Sequence, residues 1–241
     1  MSKKLNPTNM KTQYMLPVLF LFLFTSAASP QQDQKTSFGI FSGVSLNTNS
    51  YDFEDNNSLF DTSYTNDTKA AFNIGMFVLY DFAVNFGIKF QGQYTNKGGV
   101  SKVNTFYSND LTMIERTYTN TINYLQFALL PQLTLLFNKN SPDSKTYFNA
   151  GGYLSVKLSA TESIDNQTLY QYLNTEKDIS NSLSGTDAGL IFGAGIIYKG
   201  FLLDIRYDLG LSNIVGLEDV SDVLSIKNRS INISVGWTGG F

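Results

Sequence analysis

The chain of 241 residues contains no cysteine and no histidine, with only five prolines and one tryptophan. Without cysteine there is no disulfide scaffold, no thiolate zinc site and no cysteine nucleophile. Without histidine there is no Ser-His-Asp triad, no imidazole acid–base chemistry and no histidine metal site. Charge is scarce too, at 15% of residues, against roughly 25% in soluble domains. A formal net charge of −3 argues against nucleic acid as a partner. No apolar run approaches the roughly 18 residues a membrane-spanning helix needs. Apolar residues (42%), aromatics (14%) and 19 glycines are plentiful.

Lys3, Lys4 and Lys11 precede an apolar run from Met15 to Phe24, followed by Thr25-Ser26-Ala27-Ala28. A charged start, a short apolar stretch and a small-residue cleavage site predict a secretory signal peptide over residues 1–28. Ser26 and Ala28 take the −3 and −1 positions. The run is too short to cross a hydrocarbon core about 30 Å thick. No cysteine follows that would carry a lipid anchor.

Beyond the leader the apolar residues recur with period two, the signature of strands. The segments are Phe38–Leu46, Phe72–Tyr80, Val84–Tyr94, Ile122–Phe137, Tyr147–Ala160, Ala188–Ile196, Leu203–Ser212 and Ile231–Phe241. In the seventh, Leu203, Ile205, Tyr207, Leu209 and Leu211 alternate with Asp204, Arg206, Asp208, Gly210 and Ser212. Each is near the 9–11 residues of a tilted strand crossing a bilayer. Short turns (Asp81-Phe82-Ala83, Asn138 to Lys145, Lys199-Gly200) alternate with long polar loops at Asn47–Asp67, Thr95–Thr117, Thr161–Gly185 and Asn213–Asn228. Short turns on one side and long loops on the other is the pattern of outer-membrane barrels. Tyr80, Phe82, Phe137, Tyr147, Tyr198, Phe201 and Phe241 are expected in a girdle at the short-turn interface.

Alternation alone also fits a soluble barrel with an apolar interior. The polar faces decide between the two. They consist mainly of Gly, Ser, Asn and Gln, where a water-facing exterior carries many Lys and Glu. Small residues suit the interior of an eight-stranded barrel, and continuous bulky faces suit lipid. The interior then holds the cations Lys89, Lys157 and Arg206 and the anions Asp187, Asp204 and Asp208. Burial demands that such charges pair. Arg206, between Asp204 and Asp208 on one strand face, is the expected hub of a structural ionic cluster. Pro131 conflicts with a closed ladder, and a bulge near it is the expected resolution.

The acids of the first long loop (Asp52, Glu54, Asp55, Asp61, Asp67) fit no calcium-loop spacing, so no metal site is expected. Gly193-Ala194-Gly195 lacks the strand-to-helix context of a nucleotide loop. No nucleophile–base constellation is present, so neither catalysis nor a cofactor is expected.

Several stretches resemble the PorT-like outer-membrane β-barrel family: 88–99 (Ile88 to Gly99), Tyr124-Leu125-Gln126-Phe127-Ala128-Leu129-Leu130-Pro131, Phe148-Asn149-Ala150-Gly151-Gly152-Tyr153, 187–195 and 204–211. The resemblance covers Phe38 to Phe241. The family's usual proline directly after its Leu-Glu-Ile is here displaced: Ala128 follows Leu125-Gln126-Phe127, and the proline is Pro131. The resemblance implies an outer-membrane barrel and, as one role, an accessory factor of type IX protein secretion. The closing alternation Ile231, Ile233, Val235, Trp237, Phe241 is similar to the signal by which the barrel-assembly machinery recognises a last strand.

The sequence therefore predicts an all-β, eight-stranded antiparallel transmembrane barrel with up-and-down topology, closed by pairing Phe38–Leu46 with Ile231–Trp237. Residues 29–36 form a short periplasmic segment and 37–241 the barrel domain, in the outer membrane of a Gram-negative cell. The expected role is non-enzymatic, structural or surface-interacting, with type IX secretion or a small channel as alternatives. Expected partners are outer-membrane lipid and lipopolysaccharide, the barrel-assembly machinery, and secretion-system or surface proteins.

Overall fold

A computed structural model describes residues 35–53, 62–107, 112–136, 144–168, 171–215 and 223–240. The expected leader lies outside the described residues, as do Phe137 and Phe241. The strands are β1 (Lys35–Phe53), β2 (Thr62–Asp67), β3 (Lys69–Asp81), β4 (Phe86–Lys97), β5 (Val100–Tyr107), β6 (Thr112–Leu136), β7 (Ser144–Thr168), β8 (Gln171–Asp178), β9 (Thr186–Tyr198), β10 (Phe201–Gly210) and β11 (Val223–Gly240).

Eight of them form a closed antiparallel ring in the order β1-β3-β4-β6-β7-β9-β10-β11. The ring shuts where β11 returns to β1, with Ile40 opposite Trp237 and Leu46 opposite Ile231. Closure gives every ring strand two hydrogen-bonded neighbours, so no sheet edge is left inside a hydrocarbon layer.

The side chains are inside-out relative to a soluble domain. Met76 is 66% exposed and Phe201 71%, with Ile40, Phe90, Leu129, Leu154, Ile205 and Val235 also outward. Asn73, Gln91, Gln93, Gln126, Ser155, Asn232 and Ser234 are buried. Water on the first set would drive aggregation; lipid removes that cost.

The structure corrects four expectations. First, the long polar loops are in large part strand. β1 and β11 pair as far as Phe53 and Val223, β5 pairs with both β2 and β6, and β8 pairs with β7. Thr, Asn, Ser and Tyr sustain a ladder without an apolar face to bury, because cross-strand pairing does not depend on lipid. Second, Pro131 makes no bulge: the β6–β7 ladder skips Leu130 and Pro131 and resumes in the same register, with Leu129 opposite Gly152 and Gln132 opposite Asn149. The register shift falls instead at Asn123/Tyr124, where Ser159 and Lys157 are consecutive partners and Leu158 is extra. Third, Tyr147 does not join the girdle. It is 1% exposed and points into the barrel, on the same face as Asn149, while Tyr80, Tyr198 and Phe201 are outward. Fourth, the expected ionic cluster is divided: Lys89, Asp204 and Arg206 meet in one group, Asp187 lies in another with Lys97, Asp208 bonds Gln126 instead of Arg206, and Lys157 stands apart from both groups, as described below.

Two glycines shape this interior. Gly98 has φ +124°, and a Cβ there would overlap the Asn120 carbonyl; it ends β4 before β5 begins. A side chain at Gly195, the cross-strand partner of Tyr147 on the neighbouring strand β9, would occupy the space of the Tyr147 ring, so Gly195 leaves that ring room.

Candidate functional site

The interior is organised in layers from the short-turn end to the long-loop end. At the short-turn end Phe41, Phe77, Leu79, Tyr147, Ile197 and Leu202 form an apolar cluster. These residues come from β1, β3, β7, β9 and β10, so opposite walls meet across the lumen.

Above that cluster lies the first ionic group. Arg206 Nε is 3.1 Å from Asp204 Oδ2, and Lys89 Nζ is 4.0 Å from Asp204 Oδ1. The Tyr147 hydroxyl donates to Asp204. Lys89 Nζ also lies 4.9 Å from the Tyr147 ring and 5.3 Å from that of Phe77, and the Arg206 guanidinium 5.2 Å from Phe41. Cations over aromatic faces gain from the ring quadrupole, more so when desolvated. Arg206 Nη2 donates across the barrel to Gln93 at 2.9 Å. Asp208, expected as a second partner of Arg206, accepts from Gln126 Nε2 at 3.1 Å. Asn73 bridges to Asn232 and accepts from Ser234.

A second ionic group sits nearer the long-loop end around Asp187, which is fully buried. Its carboxylate accepts from Lys97 Nζ (3.1 Å), Asn228 Nδ2 (3.0 Å), the Tyr153 hydroxyl (3.2 Å) and the Ser212 hydroxyl (2.9 Å). Lys97 Nζ lies 4.1 Å from the Tyr153 ring and 5.5 Å from that of Tyr124. Lys97 is absent from the expected cluster because the third segment of the sequence pattern closes at Tyr94. Extending the alternation from Lys89 through Gln91, Gln93 and Thr95 places Lys97 on the same face, and that is the signal that finds it. Tyr147 is absent from it because it is expected in the girdle, and Tyr124 and Tyr153 because the expected cluster holds charged side chains only.

The long-loop end is closed by a second apolar layer of Ile122, Tyr124, Ala160, Ile179 and Ile214, with Leu183 and Ile226 packed against it. After β8 the chain from Ile179 to Gly185 folds inward. It is tied to the segment after β10 by the Ser184 N–H donating to Ile214 O (2.8 Å) and by a Leu183–Val215 bridge. Lys157 belongs here: its ammonium donates to the carbonyls of Ser180 (2.5 Å) and Leu183. Lys157 points inward like Lys89, but at its height the inturned chain offers carbonyls within reach.

Chemically, these groups brace. Buried Lys89, Lys97 and Arg206 are matched by buried Asp187, Asp204 and Asp208, so these six residues carry no formal net charge together. Among the described residues no group of acids is placed to hold a metal ion. On the outside, Ile231, Ile233, Val235 and Trp237 of β11 all face outward.

A family model for the outer membrane protein beta-barrel domain matches residues 28–216. No curated protein matches the chain. Among solved structures it is similar to Ail, the attachment invasion locus protein of Yersinia pestis, at 14% identity over 86% of this chain and 100% of that chain, with a TM-score of 0.36. It is also similar to the Neisserial surface protein A, NspA, at 15% identity over 83% of this chain and 96% of that chain (TM-score 0.35). The N-terminal β-barrel domain of Pseudomonas aeruginosa OprF gives 11% identity over 86% and 100%, with a TM-score of 0.31.

Proposed function

The chain belongs to the outer membrane protein beta-barrel domain family, and from that membership we propose a non-enzymatic outer-membrane protein whose lumen is a structural core and whose paired hairpins meet partners at the cell surface. In such barrels the short turns face the periplasm and the long connections the exterior. That orientation puts β2, β5, β8 and the upper parts of β1, β6, β7 and β11 outside the cell. The observation that carries the reading is the filled interior: two ionic groups tied across the barrel, between apolar layers at either end.

The same observation weighs against a channel. Water and ions would have to displace Phe41, Phe77 and Tyr147 at one end and Ile179 and Ile214 at the other. Planar bilayers containing the inserted protein are expected to show no conductance above a control barrel, and stepwise openings would refute this part of the reading.

The surface role is tested by shortening the β7–β8 hairpin between Glu162 and Lys177, which are cross-strand partners, while keeping Ile179 to Gly185 and its apolar contacts. Binding of whole cells to surface partners is expected to fall while heat-dependent gel mobility stays intact. Unchanged binding sinks the display role of this hairpin. A role in type IX secretion rests on the PorT-like stretches alone. It predicts loss of the secreted protein set in a strain lacking the gene and its return on complementation; an unchanged profile removes that role.

A further inference from the structure

The outward face of β11 has a sharp chemical boundary. Ile231, Ile233, Val235 and Trp237 are between 46% and 60% exposed and form an apolar stripe. Continuing the same alternation toward the extracellular end gives Arg229, which is exposed, and then Lys227, which is half-buried. The intervening Asn228 faces inward and donates to Asp187, which fixes the phase. Arg229 lies between Thr48 of β1 and Leu209 of β10, and Lys227 lies opposite Ser50. These rungs place two cations on the lipid side of the wall.

Several other cations are engaged within the protein, and Lys227 too has a contact there. Lys89, Lys97 and Arg206 are buried in the lumen. Lys69 donates to the Asn120 carbonyl, Lys157 holds the inturned chain, and Lys102 pairs with Asp67.

Two residues along a tilted strand are about 7 Å of chain and roughly 5 Å of height, so in the membrane orientation proposed above Arg229 stands one short step beyond the last apolar residue of the β11 stripe. A guanidinium beside Leu209 at that depth is costly unless it meets water or an anion. The outer leaflet of this membrane is built from a lipid whose sugar headgroup carries phosphate monoesters. Arginine presents a planar fork that matches phosphate oxygens two at a time, and lysine adds a point charge.

We propose that Arg229, with Lys227 above it, holds the headgroup phosphate of an outer-leaflet lipid whose acyl chains lie along the Ile231–Trp237 stripe. This rests on the membrane orientation proposed above. It gives the seam between β1 and β11 an annular lipid of defined chemistry.

The refolded barrel is placed in nanodiscs of zwitterionic phospholipid mixed with lipid A, phosphorylated or dephosphorylated, and retained lipid is counted by native mass spectrometry. Wild type is expected to retain the phosphorylated lipid preferentially. Arg229→Gln is expected to lower that retention about fivefold, and adding Lys227→Gln to lower it further, as anionic surfaces reward each cation. Arg229→Lys should restore part of it. Excess inorganic phosphate is expected to leave retention unchanged; displacement by it assigns the site to free phosphate and overturns the lipid assignment. Equal retention of the two lipids by wild type, or unchanged retention by Arg229→Gln, also overturns it. Each sample is checked for a heat-dependent gel shift. A shifted band without lipid selectivity defeats this site alone, whereas no shift in wild type defeats the membrane barrel itself.

Discussion

The Lys97–Asp187 pair gives the sharpest test of a lumen that works as a core. Lys97→Met leaves a carboxylate with no cation inside the barrel, and Asp187→Leu leaves an ammonium with no anion. Breaking one side of a buried pair costs about 3–5 kcal/mol. If the two sites were independent, the double variant would lose about 6–10 kcal/mol. The geometry predicts less. With both charges gone, the two introduced apolar side chains would pack among the Tyr124 and Tyr153 rings. The remaining cost is the acceptor lost by the Tyr153 hydroxyl and by Asn228 Nδ2. Ser212 keeps a second acceptor in the Ala188 carbonyl at 3.3 Å. Two orphaned donors at about 1–3 kcal/mol each give roughly 2–6 kcal/mol for the double variant, and hence a coupling energy of several kcal/mol. The assay is equilibrium urea unfolding from lipid vesicles, read from the fluorescence of Trp237, the single tryptophan of the chain, whose side chain faces lipid. A double variant whose loss equals the sum of the singles to within about 0.5 kcal/mol would refute the reasoning, because the pair would then be solvated or unformed.

Three other outcomes follow from the geometry. Gly195→Val is expected to displace Tyr147 from Asp204 and destabilise the barrel by about 1–3 kcal/mol, read in the same urea titration; an unchanged midpoint would mean the ring does not lie on Gly195. Lys157→Met removes the ammonium that holds the Ser180 and Leu183 carbonyls, so amide hydrogen exchange across Ile179–Gly185 is expected to quicken while the ring strands stay protected. Equal protection there would assign the inturned chain's order to apolar packing alone. Deleting Phe241 is expected to reduce the folded, heat-modifiable fraction in the outer membrane without altering export; full assembly of the shortened chain would remove this residue from any assembly signal.

The ring was legible because a wall between lipid and a filled lumen imposes a period of two on every strand. Gln91 and Gln93 against Phe90, or Asp204 and Arg206 against Leu203 and Ile205, have no other simple reading. The direction of the faces was legible from the kind of polar residue: a wet exterior would have carried more charge. The upward continuation of the strands was not, since polar residues pair as readily above a membrane as they loop, and composition does not separate the two. Lys97 was lost for that reason, cut off from a face it shares with Lys89. Tyr147 was misplaced because a tyrosine near a turn suits a girdle and a lumen equally. Its partner Asp204 and the gap at Gly195 decide the matter, and both are distant in sequence. The bulge at Leu158 leaves no mark in the local pattern, because both of its neighbours tolerate either face.

Seven of the eight junctions in the ring join strands that are consecutive among the eight ring strands; the eighth, β1 with β11, joins residues as far apart as Phe38 and Gly239. Bringing those two strands together costs about 3 kcal/mol more in loop entropy than turning a tight hairpin. The ring itself has no preferred beginning, since a chain opened at Lys199–Gly200 and rejoined beside Phe38 would trace the same wall. Gene order therefore does not define the finished shape; it selects which junction must be made without a covalent tether. In this protein that burden falls on the β1–β11 pair, and a circularly permuted chain would hand it to a different pair of strands while leaving Ile231 to Trp237 in mid-sequence.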